Sequence, residues 1–277
     1  PQRTDCFYDL FCGGGNVAVN ASSSSIIACD IQKEVMELFN YFSKNDTETV
    51  IKQVEAVIKD YKLTNSFLRG YDYYAADSSG GLGASNKNNF HLLRKDYNSG
   101  KIKRDKNIVF YTLVVFGFNN QIRFNSSGEF NISVGKRDFN KSNRTNLKNF
   151  IEKIHSKNIT FLNKSYDKIS FDLSVQNFIY ADPPYLISTA TYNENGGWGE
   201  EDEKKLLEFL LNSHRKDIKF ALSNILEHKN KENTILLNWA KKNKFHVHEI
   251  QKNYKNSSYQ SKEKTSPTRE VLVTNYK

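Results

Sequence analysis

Apolar positions along the chain change their period several times, and each change marks an element. CFYDLF at residues 6–11 is a short apolar and aromatic run, the pattern of a buried strand. Gly13 to Gly15 end it, and residues 16–20 form a short segment able to start a helix. The polar ASSSS stretch then leads into Ile26-Ile27-Ala28-Cys29-Asp30, a second strand ending in an acid. This is a βαβ opening of the dinucleotide-fold type. Between Asp46 and Tyr61, residues Val50, Ile51, Val54, Val57 and Ile58 recur at helical spacing, with Asp46 or Thr47 able to cap. Residues 76–89 (ADSSGGLGASNKNN) read as a Gly/Ser/Asn loop, and their GGLG as part of that loop.

Residues 90–98, 107–116 and 146–155 predict helices. Residues 119–134 alternate and are broken by Ser126-Ser127-Gly128, which predicts a β-hairpin turning at those three residues. Residues 159–162 and 175–180 predict strands. Residues 201–211 predict an amphipathic helix carrying Leu206, Leu207, Leu210 and Leu211, and residues 220–222, 245–250 and 271–274 predict closing strands. Strand signals thus cluster at both ends, while the middle is helix, loop and one hairpin. The expectation is an α/β core interrupted by an inserted module, with no internal repeat.

Composition narrows the partner. The 277 residues carry 40 Lys+Arg against 31 Asp+Glu, a net charge of +9. Such a balance favours an anionic partner, nucleic acid first, or else a Lys- and Asn-rich surface that only solvates the fold. No apolar run approaches the roughly 20 residues of a membrane span, and no signal-peptide pattern opens the chain. Cys6, Cys12 and Cys29 are odd in number and form no CxxC pair, so reduced thiols in a cytoplasmic protein are expected. His246 and His248 share one face of a strand without a third ligand nearby, which favours packing over metal, and no metal is expected.

Two stretches carry chemistry. In DLFCGGG, Asp9 to Gly15, a strand runs into a glycine turn, where the backbone can reach positive φ and a ligand can approach closely. Asp30, ending the next strand, is placed to accept hydrogen bonds from ribose hydroxyls. No GK[ST] follows, so the pattern fits a cofactor with a ribose and no pyrophosphate, or a tight βα turn with no ligand. The second stretch is Asp182-Pro183-Pro184-Tyr185, which uses two of the chain's four prolines. Proline fixes its own φ, has no N–H, and pushes its predecessor toward extended geometry. The result is a stiff strand end presenting the Asp182 carboxylate and the Pro183 carbonyl, two acceptors suited to an amine, with the flat face of Tyr185 beside them. The plain alternative is a strand-ending turn with an aromatic plug.

FCGGG followed far downstream by DPPY resembles the amino-methyltransferases that act on nucleic-acid bases. The order of the two, with an insertion between, resembles the Dam-like (alpha-order) adenine-specific DNA methyltransferases. FHLLRKDYN (Phe90–Asn98), FNNQIRFNSSGEFNISVGKRDFN (Phe118–Asn140) and REVLVTNY (Arg269–Tyr276) resemble further elements of that family, and the likeness covers nearly the whole chain. The nearest likeness is to methyltransferases of type II, especially type IIS, restriction–modification systems.

The resemblance implies a Rossmann-like S-adenosylmethionine-dependent α/β sheet with helices on both faces. Residues 1–55 and 146–277 would form the catalytic domain, and residues 56–145 an inserted, mainly helical DNA-recognition domain carrying the hairpin. It implies that Phe11, Gly13 and Gly15 wrap the methionine end of S-adenosylmethionine with Asp9 supporting the loop, and that Asp30 binds the ribose. It places Ser165 and Tyr166 at the cofactor's adenine, where the family often has an acid in the position of Ser165. Asp182 and the Pro183 carbonyl would accept from the target amine, with Pro184 stiffening the motif and Tyr185 stacking on a flipped adenine. Arg123 suits a guanine or a phosphate; Asn119, Asn120 and Asn125 suit base edges or turn structure; Lys136 and Arg137 suit phosphates. The family also carries an aromatic–Gly–Lys segment ahead of its first strand, so a chain trimmed from a longer gene is expected. The implied setting is a monomer in the bacterial cytoplasm acting on double-stranded DNA, with room for a separately encoded cognate restriction endonuclease.

Overall fold

The computed structural model describes residues 4–76, 80–187, 197–229, 231–250 and 268–277. Eight strands lie among them: β1 (Cys6–Asp9), β2 (Ser25–Asp30), β3 (Ile159–Asn163), β4 (Asn177–Ala181), β5 (Lys219–His228), β6 (Lys231–Glu232), β7 (His246–Ile250) and β8 (Arg269–Thr274). The helices are α1 (Lys33–Phe42), α2 (Thr47–Asp60), α3 (Ser66–Arg69), α4 (Gly83–Asn98), α5 (Lys106–Phe116), α6 (Lys141–His155), α7 (Glu200–Arg215) and α8 (Thr234–Lys242). The chain divides into two compact units, residues 1–31 with 158–277, and residues 32–157.

The first unit is built on one sheet of order β3-β2-β1-β4-β5-β8-β7, with β6 paired to β5. The pairs from β3 to β5 are parallel, while β8 pairs antiparallel with both β5 and β7. From β1 the chain runs outward through β2 to β3, then returns to lay β4 on the other side of β1. That reversal creates a crevice at the C-terminal ends of β1 and β4, where open α/β sheets bind ligands. Tyr8, Ile179, Phe220, Leu222, Val271 and Val273 pack in one core with Leu206, Leu207 and Leu210 of α7 and Leu236 of α8. Each fully buried aliphatic or aromatic side chain there contributes about 1.5–3 kcal/mol. On β1 and β4 the alternate residues Phe7 and Phe178 stack on each other, so these central strands are apolar on both faces, as buried parallel strands are.

The second unit is helical around α5, whose Ile108, Val109, Phe110, Leu113, Val115 and Phe116 are all buried. A helix apolar nearly all round belongs at a centre. Of the two cap candidates for α2, Asp46 serves: its carboxylate accepts from Thr49 N at 2.9 Å and is held below the usual carboxylate range by that bond and the Thr49 hydroxyl.

Two expectations need correction. The loop expected over residues 76–89 ends early, because α4 begins at Gly83; residues 77–79 lie outside the described residues. Asn86, a poor helix former, is fully buried there. Its side chain accepts from Thr64 N at 2.8 Å and donates to Thr64 Oγ1 at 2.9 Å, so tertiary bonds override propensity. The hairpin of residues 119–134 turns where expected, with Gly128 at φ +74° and its N–H donating to Asn125 O at 2.9 Å. Its arms, however, meet only at isolated bridges, Phe124 with Phe130 and Gly117 with Val134. The turn takes groups that a ladder would use: Asn125 receives Glu129 N–H on its side-chain Oδ1 and Gly128 N–H on its carbonyl. The outward-facing groups of the arm are tied to α4, where Arg94 donates to Ile132 O and Asn98 bonds both the N–H and the carbonyl of Phe130.

Candidate active site

At the end of β1 the chain turns tightly. Leu10 N–H donates to Tyr180 O, Cys12 N–H to Cys29 O, and Gly15 N–H to Cys12 O. Gly13 and Gly15 sit at φ +47° and +76°, where a side chain would be strained. Asp30, ending β2, accepts from Gly13 N at 2.8 Å and so fixes the turn from the neighbouring strand. Asp9 is buried beneath it, with Oδ2 accepting from Ala18 N at 3.2 Å. Its Oδ1 is buried and makes no hydrogen bond among the described residues. Burial pushes the Asp9 pKa up to about 7, and the charges of Asp182 and Asp30 push the same way, against the backbone amides of Ala18 and Phe11.

The Phe11 ring lies 5.3 Å from Tyr166 and packs near-perpendicular to Trp198 at 5.7 Å. Tyr166 packs in turn on Phe209, and burial raises its pKa to about 12. Ser165, just before it, hydrogen-bonds Asp167, whose carboxyl is held below the usual range by Ser165 and Lys168.

Across the crevice, β4 ends at Ala181 and delivers the second motif. Pro183 is buried; Asp182, Pro184 and Tyr185 are half-buried. The Tyr185 hydroxyl donates to Asp182 Oδ1 at 2.7 Å and lies 3.5 Å from Ser223 Oγ. Burial, then the Asp182 charge, raises the Tyr185 pKa, so the phenol stays protonated as a donor at neutral pH. Because β1 and β4 are paired with Asp9 opposite Tyr180, the glycine turn and the Asp-Pro-Pro-Tyr stretch are neighbours at one sheet edge. The sequence had not singled out Trp198, Ser223 or Glu203. Trp198 is one of only two tryptophans and directly precedes Gly199, the N-cap of α7, a signal that could have marked it.

In the second unit, Asn119 and Asn120 are both left-handed, at φ 52° and 55°. Asn120 donates to the carbonyls of Val114 and Val115 at the end of α5, and Asn125 accepts from Ser127 N and Glu129 N and donates to Glu129. The side chains of Asn120 and Asn125 are therefore engaged in turn structure. Arg123, Lys136 and Arg137 are exposed, with Arg123 Nε donating to Asn131 Oδ1 at 2.8 Å. Among the described residues, no group of three or more His, Cys, Asp or Glu could hold a metal ion, and no helix is long and apolar enough to cross a membrane.

A sheet that opens at the β1–β4 switch point, with a glycine turn on one strand and a stiffened Asp-Tyr pair on its neighbour, defines the Rossmann-like methyltransferases. Within that class the chain belongs to the D12 class N6 adenine-specific DNA methyltransferase family, whose model matches residues 1–256. It is 38% identical over 283 residues to type II methyltransferase M.FokI of Planomicrobium okeanokoites, and 36% identical over 285 residues to modification methylase StsI of Streptococcus sanguinis. Both alignments cover 100% of this chain and 40% of the relative. A DNA adenine methylase of Haemophilus influenzae is 27% identical over 201 residues, 73% of this chain and 62% of that protein. The chain thus spans about 40% of the length of the first two relatives.

Proposed function

We propose that the chain transfers a methyl group from S-adenosylmethionine to the exocyclic N6 amine of adenine in duplex DNA, with the base flipped out of the helix. The observation that carries this reading is the adjacency of the glycine turn after β1 and Asp182–Tyr185 after β4 on paired parallel strands. The turn fits a cationic nucleoside: the charges of Asp182 and Asp30 both bear on Asp9, and Asp9 Oδ1 is buried with no hydrogen bond among the described residues. Phe11, Gly13, Gly15 and Asp30 would hold the cofactor, with Tyr166 and Ser165 beside its adenine. S-adenosylmethionine supplies an activated methyl group when bound.

The amine is a poor nucleophile because its lone pair is delocalised into the ring. The Asp182 carboxylate and the Pro183 carbonyl accept hydrogen bonds from its N–H groups, which favours a pyramidal nitrogen and stabilises the positive charge that develops on it. Neither proline offers a competing N–H. Tyr185 fixes the rotation of the Asp182 carboxylate through its hydroxyl and presents a face on which the flipped base stacks, offsetting a few kcal/mol of unstacking. In the second unit, Arg123, Lys136 and Arg137 supply contacts to DNA, with Asn119 at the hairpin base; residues 56–145 serve as the recognition domain. The words "type II" and "modification" in the relatives' names favour a restriction–modification setting in the cytoplasm, with a separately encoded endonuclease, and a monomer suffices for the chemistry described.

Asp182→Ala tests the mechanism. Transfer of labelled methyl to duplex DNA should fall by at least about 10²- to 10³-fold, the scale of losing a group that stabilises developing charge, while duplex binding in a shift assay persists. Full activity in that variant would sink the proposal.

A further inference from the structure

Beside the two loops of the site lies a carboxylate that belongs to neither. Glu203 sits in the first turn of α7, among Glu200, Glu201 and Asp202, and is 0% exposed. Donors to both oxygens offset the cost of burying a carboxylate. Oε2 accepts from Trp198 Nε1 at 2.9 Å, and Oε1 accepts from Asn224 Nδ2 at 3.1 Å and Asn233 Nδ2 at 2.9 Å. Each donor has a further task. Trp198 packs near-perpendicular to Phe11 of the glycine turn, at 5.7 Å and 82°. Asn224 follows Ser223, whose hydroxyl lies beside that of Tyr185. Asn233 caps α8 by accepting from Leu236 N at 3.0 Å.

We propose that Glu203 is a positioning residue: it holds the Trp198 indole, which packs near-perpendicular to the Phe11 ring and sets it, and cofactor affinity depends on that hold. The proposal rests on the reading of the glycine turn as the S-adenosylmethionine site. Glutamine is an informative replacement because the three donors are divided unequally. In Glu203→Gln the amide oxygen can still serve Asn224 and Asn233, but the amide NH2 then faces the Trp198 N–H, donor against donor. The helix cap survives and the indole is released. Trp198→Phe removes that clash while keeping an aromatic ring.

The experiment uses a Trp239→Phe parent. Trp239 Nε1 is buried with no hydrogen bond among the described residues, so that change removes none of those bonds and leaves Trp198 the sole tryptophan. Calorimetry with S-adenosylmethionine and thermal midpoints are measured for the parent, Glu203→Gln, Trp198→Phe and the double variant, and Trp198 emission for the parent and Glu203→Gln. Glu203→Gln should shift Trp198 emission and weaken cofactor binding about tenfold, the scale of one hydrogen bond to a charged group, with duplex DNA affinity unchanged. Added to Trp198→Phe, it should cost little more, because no indole N–H remains to oppose. Should Glu203→Gln fold poorly, the double variant and Trp198→Phe carry the comparison. Unchanged emission or cofactor affinity in Glu203→Gln, or fully additive losses, overturns the proposal. A parent that takes up no S-adenosylmethionine overturns the cofactor reading itself, whereas the emission shift still reports whether Glu203 holds Trp198.

Discussion

Asp9 is costly where it stands. Burial pushes its pKa up to about 7, above the value near 4 of an unfolded chain. An acid with a raised folded pKa disfavours its own ionised form in the folded state. Its penalty is absent below about pH 4, grows as pH rises toward 7, and is constant above that. Asp9→Asn should therefore flatten the stability change between about pH 4 and 7, read by urea unfolding. A cationic ligand at the turn reverses the preference, so S-adenosylmethionine should bind more tightly at pH 8 than at pH 6, and Asp9→Asn should remove that difference; a parent whose affinity ignores pH over this range contradicts the assignment. At this scale the sequence made positions at strand ends readable: Asp9 ends β1 ahead of the glycine turn that holds Gly13, Asp30 ends β2, and Asp182 follows β4 before two prolines. It was silent about Glu203, because one buried carboxylate among four consecutive acids carries no local sign of its burial. It was equally silent about the Tyr185–Asp182 hydrogen bond, which needs the fold of the loop.

Among elements, the hairpin of the second unit shows the strongest dependence on close approach. A Cβ built on Gly135 would lie 2.5 Å from Gly117 O and 2.9 Å from Gly117 C, where Gly135 N–H donates to Phe116 O at 2.7 Å. Gly135→Ala should force the hairpin base off the end of α5 and destabilise by about 1–3 kcal/mol, the usual cost of overpacking. It should also loosen duplex binding, measured by thermal melts and titration; a variant with parental melting temperature and DNA affinity would show that the pinch does not matter. Elements with a clean period, such as α2, α5, α7 and the central strands, could be read ahead of the structure. The start of α4 could not, since Asn86 and its neighbours look like loop and are held helical by bonds to Thr64. Nor could the broken ladder of the hairpin, where the Asn125 side chain takes the Glu129 N–H, or the bonds of Arg94 and Asn98 that tie one arm to α4.

At the scale of the molecule, a net charge of +9 suits a polyanion but does not choose among nucleic acids. The choice comes from the paired strands that set a glycine turn beside Asp182–Tyr185, and from the family to which the chain belongs. Alignments that cover this chain fully yet only 40% of the first relatives make the chain's own catalytic competence the central claim. The most direct measurement is to incubate the purified chain with duplex DNA and methyl-labelled S-adenosylmethionine, digest the DNA to nucleosides and identify the labelled one. Label in N6-methyladenine is the predicted result; label in a methylated cytosine, label only when RNA replaces the duplex, or no transfer despite bound cofactor and DNA would contradict it.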